Sequence, residues 1–221
     1  MRRQNKMEKI EECVDLLKVV RKQSSYSELS DITGLPKSTI ARYVKGHIMP
    51  SYERACRIIN IIYDILNIDE VLKELNPNEL SAPETLKTVA RHCIKYFNFD
   101  CVACYDNAAP IATAVAILSN SKLAIIRKNK FYGIKYISKE FNFDGIEEEL
   151  HISKDSIENI KSIVLVQNIL SRKILYAVKL FEGLDIKFSG IFSVWGNKET
   201  KRNINKMLDI DIRYIVERGV E

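Results

Sequence analysis

The sequence predicts an α + α/β protein: an all-helical module over residues 1–75, a linker over residues 76–83, and a parallel-sheet α/β domain over residues 84–221. Three observations carry that expectation. Excess positive charge is confined to one end, since residues 1–57 hold 12 Lys/Arg against 7 Asp/Glu whereas residues 58–221 hold 22 against 22. The basic end reads as consecutive short amphipathic helices punctuated by Gly34 and Pro36. Beyond the prolines of LNPNELSAPETLK, short continuous apolar runs alternate with helical patterns, the mark of a parallel sheet covered on both faces.

Composition narrows the function classes. Of the 221 residues 46% are hydrophobic and 29% charged, the balance of a globular protein. No stretch reaches the roughly 18 apolar residues of a membrane span. The N-terminal MRRQNKMEKIEEC turns acidic where a secretory leader would be apolar. The cytosol is therefore the expected compartment, with no membrane partner. Five cysteines, an odd number, fit reduced thiols better than a disulfide framework. Cys101 and Cys104 form a C-x-x-C with no second Cys/His pair at ligand spacing, so they read as two small residues on a buried strand. No metal site and no cofactor is expected. A basic segment on a neutral body suits a module that binds a polyanion.

In the N-terminal module, Ile10, Cys13, Val14, Leu17 and Val20 recur at helical spacing and predict a first helix over residues 8–22. Ser24 or Ser25 is placed to cap a second helix, which runs through Leu29 and Ile32 and stops at Thr33-Gly34. Gly34 supplies the left-handed backbone needed to leave one helix and enter another at a steep angle, and Pro36 starts the next. That helix spans Pro36 to Lys45. Pro50 ends a loop and Ser51 caps a fourth helix.

The stretch YSELSDITGLPKSTIARYVKG resembles a helix-turn-helix of the lambda-repressor kind, with Ser30 at the crossing of the two helices, Leu35 after the turn glycine, and Ile40 and Tyr43 anchoring the second helix. The resemblance covers about residues 8–75 and implies a module that binds double-stranded DNA. Lys37, Ser38, Thr39 and Arg42 then face the major groove, while Lys45, His47 and Tyr52 lie near phosphates, where they set register and affinity. The alternative is a solvated helix face on a protein-interaction domain.

The body continues with strand-like FDCVACY, helical APIATAVAILSN, strand-like KLAIIRK, a β-rich stretch to His151, then SIVLVQ, a helix to about Gly183, and IKFSGIFSVW. The C-terminal IDIRYIVERG is a further strand-like run, expected to extend a dimer interface. The order of these pieces over about residues 84–195 resembles type I phosphoribosyltransferases, most closely the orotate-type branch, and archaeal transcription regulators that join a helix-turn-helix to such a domain. YDNAAPIATAVA matches the family's G-G-I-P-L-A-T-A-x-A loop and helix, and AIIRKNKFYG its R-K-x-x-K-x-G region.

Within this resemblance the strand SIVLVQ ends where the family carries two carboxylates for the ribose of phosphoribosyl pyrophosphate, followed by a glycine loop whose amides cradle a phosphate. Here the pair is Gln167 and Asn168, and the loop is Ser171, Arg172, Lys173, Ile174 and Leu175. The amides keep hydrogen-bonding capacity without charge. Lys173 stands at the glycine position and Leu175 replaces a hydroxyl donor. In the first loop, Asp106 and Asn107 precede Ala108 and Ala109, which stand where glycine normally admits the pyrophosphate. Arg127, Lys128 and Lys130 match cations that reach pyrophosphate across the dimer interface, the second lysine spaced one residue closer; solvated charges at a strand end are the alternative. Arg172 and Lys173 either offer an anion site by side chain or are solvated charges at a helix start.

Three functions stay open at this point: a DNA-binding regulator whose catalytically degenerate body dimerises or senses a nucleotide or sugar-phosphate effector, an active phosphoribosyltransferase with unusual residues, and a constitutive DNA binder with a purely structural body. The absent acidic pair and glycine loop favour the first over the second, and no catalytic residue is assigned.

Overall fold

The computed structural model describes residues 2–66, 68–74, 77–143 and 145–218. The chain divides into two compact units, one ending at Thr88 and the other beginning at Val89. Residue 76 of the expected linker lies outside the described residues; its remainder forms a 3-10 turn, Pro77–Ser81, and the start of a helix, α6 (Pro83–Tyr96). No helix among the described residues is long and apolar enough to cross a membrane.

The first unit carries α1 (Arg2–Arg21), α2 (Tyr26–Thr33), α3 (Lys37–Val44), α4 (Tyr52–Ile65) and the short α5 (Ile68–Lys73). Helix α1 buries Cys13, Val14, Leu17 and Val20, the stripe its spacing announces. It also buries Leu16, Val19, Glu12 and Asp15, because it is covered on a second side. There the Gln23 amide donates to the Val71 carbonyl at 2.8 Å, and Lys22 Nζ donates to Thr85 Oγ1 at 3.0 Å. Lys87 Nζ lies 3.9 Å from Asp15 Oδ2.

Of the two candidate serines it is Ser25 that caps α2: its hydroxyl accepts from the Glu28 amide while the Glu28 carboxylate accepts from the Ser25 amide, a reciprocal capping box. Gly34 then takes φ 69°, and its N–H donates to the Ser30 carbonyl. Ser30 Oγ donates to the Leu35 carbonyl at 2.6 Å, closing the turn. Pro36 has φ −56° but ψ 139°, so it is the extended residue before α3 rather than its first helical one, and the helix begins at Lys37. Gly46, at φ 72°, ends α3, with the His47 amide reaching back to the Arg42 carbonyl at 2.9 Å.

The second unit holds β1 (Cys101–Tyr105), a 3-10 turn at Asp106–Ala108, α7 (Ala109–Ser119), β2 (Lys122–Ile126), β3 (Tyr136–Phe143), β4 (Ile146–Ser153), α8 (Lys154–Ile157), β5 (Ser162–Ile169), α9 (Ile174–Leu180), β6 (Lys187–Gly196), α10 (Lys198–Asn205) and β7 (Ile212–Glu217). Five strands form one parallel sheet in the order β2-β1-β5-β6-β7, and β3 and β4 form a separate antiparallel hairpin. The C-terminal run is thus the last strand of the sheet, at its edge, with Ile212, Ile215 and Val216 buried within this unit.

Strand β5 runs through the middle of the sheet, and Ile163, Val164, Leu165 and Val166 are each at most 1% exposed. Burying such side chains stabilises by about 1.5–3 kcal/mol apiece, which accounts for a continuous apolar run instead of an alternating one. Residues one apart point to opposite faces. Cys101, Ala103, Ile163 and Leu165 meet α9 and the hairpin through Ile174, Ala177, Val178, Leu150 and Ile152. The opposite face, with Val102, Cys104, Val164 and Val166, is that of α7, whose Ile111, Ala112 and Val115 are buried.

Candidate functional site

Two separate sites arise, one in each unit. On α3, Ile40 and Tyr43 are buried and fix the helix to its core, and the Tyr43 hydroxyl accepts from Arg54 Nη1 at 3.0 Å, tying α3 to α4. The rest of the helix is turned outward: Lys37, Ser38 and Arg42 are exposed, Thr39 is half-buried, and no acidic residue interrupts them. Lys45 and His47 are exposed just beyond its end. Tyr52, in the first turn of α4, is exposed with the Lys6 ammonium 5.4 Å from its ring centroid. Ser51 caps α4 by accepting from the Arg54 amide. Arg54 and Arg57 line an open depression of about 370 Å³ with Gly34 and Leu35 of the turn. Sequence reasoning missed this pair; their three-residue spacing on the exposed side of α4 was the available signal.

The second site sits where the strand order reverses. From β1 the chain crosses by α7 to β2 on one side; from β5 it crosses by α9 to β6 on the other. The loops leaving β1 and β5 therefore diverge and leave a crevice at the strands' carboxyl ends. A cavity of about 380 Å³ occupies it. Tyr105, Asp106 and Asn107 line it from the end of β1, Ile126, Lys128 and Asn129 from the end of β2, Gln167, Ile169, Ser171 and Lys173 from β5 and its loop, and Glu148 and Leu150 from β4.

Every cation at the end of β2 already has a carboxylate. Arg127 Nε stands 3.7 Å from Asp106 Oδ1, Lys128 Nζ contacts Glu148 Oε1, and Lys130 Nζ is 3.3 Å from Glu149 Oε1. Paired amides between Arg127 and His151, at 2.9 and 2.8 Å, join the end of β2 to β4 and bring the acidic residues over. Gln167 is 4% exposed, and its Nε2 has no hydrogen-bond partner among the described residues. Asn168 turns to the other side of the sheet, where its Nδ2 donates to the Asn107 carbonyl at 2.8 Å.

The chain after β5 winds into α9 through tight turns. The amides of Ile174, Leu175 and Tyr176 donate to the carbonyls of Ser171, Arg172 and Lys173 at 3.2, 3.0 and 3.1 Å, a run of three-residue turns. Lys173 has φ −58° and ψ −21°, ordinary right-handed geometry. None of the described positive-φ residues falls in the loop. Leu175 packs against the apolar core, and the Tyr105 hydroxyl donates to the Lys173 carbonyl at 2.9 Å. Burial pushes the Tyr105 phenol well above its usual pKa, so it remains a donor. The amides of Ile174, Leu175 and Tyr176 are thus taken up within the turn and are not free to converge on an anion.

Of the sequence candidates, Asp106, Asn107, Lys128, Gln167, Ser171 and Lys173 meet at the cavity. Ala108, Ala109, Arg127, Lys130, Asn168 and Arg172 do not line it. Ala108 is fully buried at the entry to α7, and the Ala109 amide is taken by the Asp106 carbonyl. Tyr105, Ile126, Asn129, Glu148, Leu150 and Ile169 were missed. For Glu148 and Leu150 the signal was the alternation of a strand in EEELHI, which does not say what the strand folds against. Cys101 and Cys104 lie on opposite faces of β1, and burial pushes both thiols up to about 12. Among the described residues no group of three or more His, Cys, Asp or Glu is placed to hold a metal ion.

Comparison with known proteins agrees with this division. Residues 17–62 match the family described as Helix-turn-helix. The chain is similar in structure to adenine phosphoribosyltransferase from Thermoanaerobacter pseudethanolicus, at 18% identity and TM-score 0.55 over 63% of this chain and 84% of that one. It is similar to the adenine phosphoribosyltransferase of Trypanosoma brucei, at 17% identity and TM-score 0.54 over 63% and 67% of the two chains. That of Rhodothermus marinus gives 11% identity and TM-score 0.54 over 64% and 84%. These likenesses are of fold. No curated protein sequence matches the chain. The protein therefore carries a helix-turn-helix of the lambda-repressor kind followed by an α/β domain with the type I phosphoribosyltransferase fold.

Proposed function

We propose that the chain is a sequence-specific transcription regulator of the cytosol that binds double-stranded DNA through α3, works as a homodimer, and uses its transferase-like domain to sense a small effector instead of to catalyse. The observation that carries the reading is the outer side of α3: Lys37, Ser38 and Arg42 are exposed on a helix whose inner side is pinned by buried Ile40 and Tyr43. A rigid helix with a cationic, acid-free outer face is what insertion into the major groove requires. Lys37, Ser38, Thr39 and Arg42 read base edges, and Lys45, His47 and Tyr52 contact phosphates.

The loss of catalysis is supported at the β5–α9 loop. Transfer of a phosphoribosyl group needs charge stabilisation on a polyanionic substrate, and here the amides of Ile174, Leu175 and Tyr176 are bonded within their own turn while Gln167 and Asn168 stand where the resembled family carries two carboxylates. Recovery of bound duplexes from a random pool tests the reading. A single enriched motif with two half-sites about one helical turn apart is the expected result. No enrichment, or a strictly monomeric mass at micromolar concentration, overturns the corresponding part.

A further inference from the structure

We infer that the cavity at the carboxyl ends of β1 and β5 is a receptor for an unphosphorylated, carbonyl-bearing ligand of nucleoside size, and that Glu148 with Asp106 excludes phosphate esters from it. The inference rests on reading the second unit as a sensor and goes further by fixing what it senses.

Charge is the first ground. The ionisable chains lining the cavity at neutral pH are Lys128 and Lys173 against Asp106 and Glu148, so the lining carries no net charge. Lys128 is engaged by Glu148, and Arg127, outside the lining, is held by Asp106. A phosphate ester entering here meets the carboxylates of Asp106 and Glu148 in the lining and must draw Lys128 away from its partner. The amides of Ile174, Leu175 and Tyr176 cannot compensate, because they are already bonded within their own turn.

Hydrogen bonding is the second and independent ground. Gln167 lines the cavity, and its Nε2 is a buried donor with no partner among the described residues; such a group is retained at a cost unless something satisfies it. A carbonyl oxygen on a ligand is the simplest acceptor for it. Ile126, Leu150 and Ile169 supply apolar surface for a ring, while Asn107 and Ser171 offer partners for hydroxyl groups. The volume, about 380 Å³, lies near the lower end for small-molecule sites and suits one nucleoside.

The test is calorimetric titration of the full chain with uridine and guanosine, and with UMP, GMP and inorganic pyrophosphate. At least one nucleoside is expected to bind, its monophosphate about tenfold more weakly or not at all, and pyrophosphate not at all. Gln167→Leu should weaken the nucleoside about tenfold, the loss of roughly one hydrogen bond. Glu148→Gln, at a partly exposed position outside the core, frees Lys128 and should close most of the gap between nucleoside and monophosphate. The inference is overturned if neither nucleoside binds, if a monophosphate or pyrophosphate binds the unaltered protein as tightly as the nucleoside, or if Glu148→Gln leaves the gap unchanged. Duplex binding measured on the same samples keeps the two readings apart. Protein that binds DNA but no nucleoside refutes this inference alone, and protein that binds a nucleoside but no DNA refutes the regulator alone.

Discussion

The hydroxyl of Tyr105, at the end of β1, donates to the backbone carbonyl of Lys173 at 2.9 Å and so pins the loop after β5 to the neighbouring strand. Tyr105→Phe removes the hydroxyl and with it that bond. Stability should fall by about 0.5–1.5 kcal/mol, the net worth of one intramolecular hydrogen bond. Hydrogen exchange at the amides of residues 174–176 should accelerate more than elsewhere in the sheet. Unchanged exchange there would show that the loop is held by its own turns.

With phosphoribosyl pyrophosphate, magnesium and each common nucleobase or orotate, purified protein is expected to form no nucleotide above background. Charge-assisted contacts contribute about 1.5–3 kcal/mol each, so losing several removes many decades of rate. Gln167→Asp with Asn168→Asp should not restore activity, because the amides of Ile174, Leu175 and Tyr176 remain bonded to the carbonyls of Ser171, Arg172 and Lys173. Turnover by the unaltered protein with any base would refute the regulator-only reading.

On the preferred duplex, Arg42→Ala should cost about 1–3 kcal/mol and relax selectivity at one position. Lys45→Ala should weaken specific and random DNA alike and flatten the salt dependence. Equal losses on both duplexes from both variants would show that the two residues do not divide the work in this way.

Four of the five cysteines, Cys13, Cys93, Cys101 and Cys104, are buried, and Cys56 is half-buried. Burial raises the pKa of Cys93 and pushes Cys13, Cys101 and Cys104 up to about 12, so none of these four is a thiolate at neutral pH. A thiol reagent should therefore label one site in the native protein and five after unfolding. Fast native labelling of Cys101 or Cys104 would contradict their placement.

Asp100 accepts from the amides of Lys161 and Ser162 and from the Ser162 hydroxyl, each at 3.0 Å, and fastens the start of β5 beside β1. The Lys161 amide, then the Ser162 hydroxyl, hold its carboxyl below the usual value of 3.8. A depressed folded pKa means that the unfolded chain takes up the proton first as pH falls. The stabilisation is present above about pH 4, and it is lost as pH drops through the folded value. Asp100→Asn should lower stability at neutral pH and flatten this part of the acid unfolding profile. An unaltered profile would rule the carboxylate out.

By itself the sequence determined much of what depends on residues close together in the chain, though it left Ser24 and Ser25 both open as the cap of α2 and counted Pro36 as the first residue of α3. The turn at Gly34 follows from backbone freedom, the caps at Ser25 and Ser51 from hydroxyls placed before helical spacing, and β5 from an unbroken apolar run. The departures from the resembled family at Lys173, Gln167 and Asn168 were equally local, since they are read directly from the residues.

Only the tertiary structure decided what those residues meet. That Glu12 and Asp15 are buried follows from the cover on the second side of α1, and that the C-terminal run lies beside β6 as the last strand follows from the sheet order. The pairing of Lys128 with Glu148, and the closure of the cavity over Gln167, depend on a hairpin that folds back from the end of β2. Helical and strand periodicity fix which way a side chain points from its own element; which distant element lies opposite is settled by how the layers pack, and that information is spread over the whole chain.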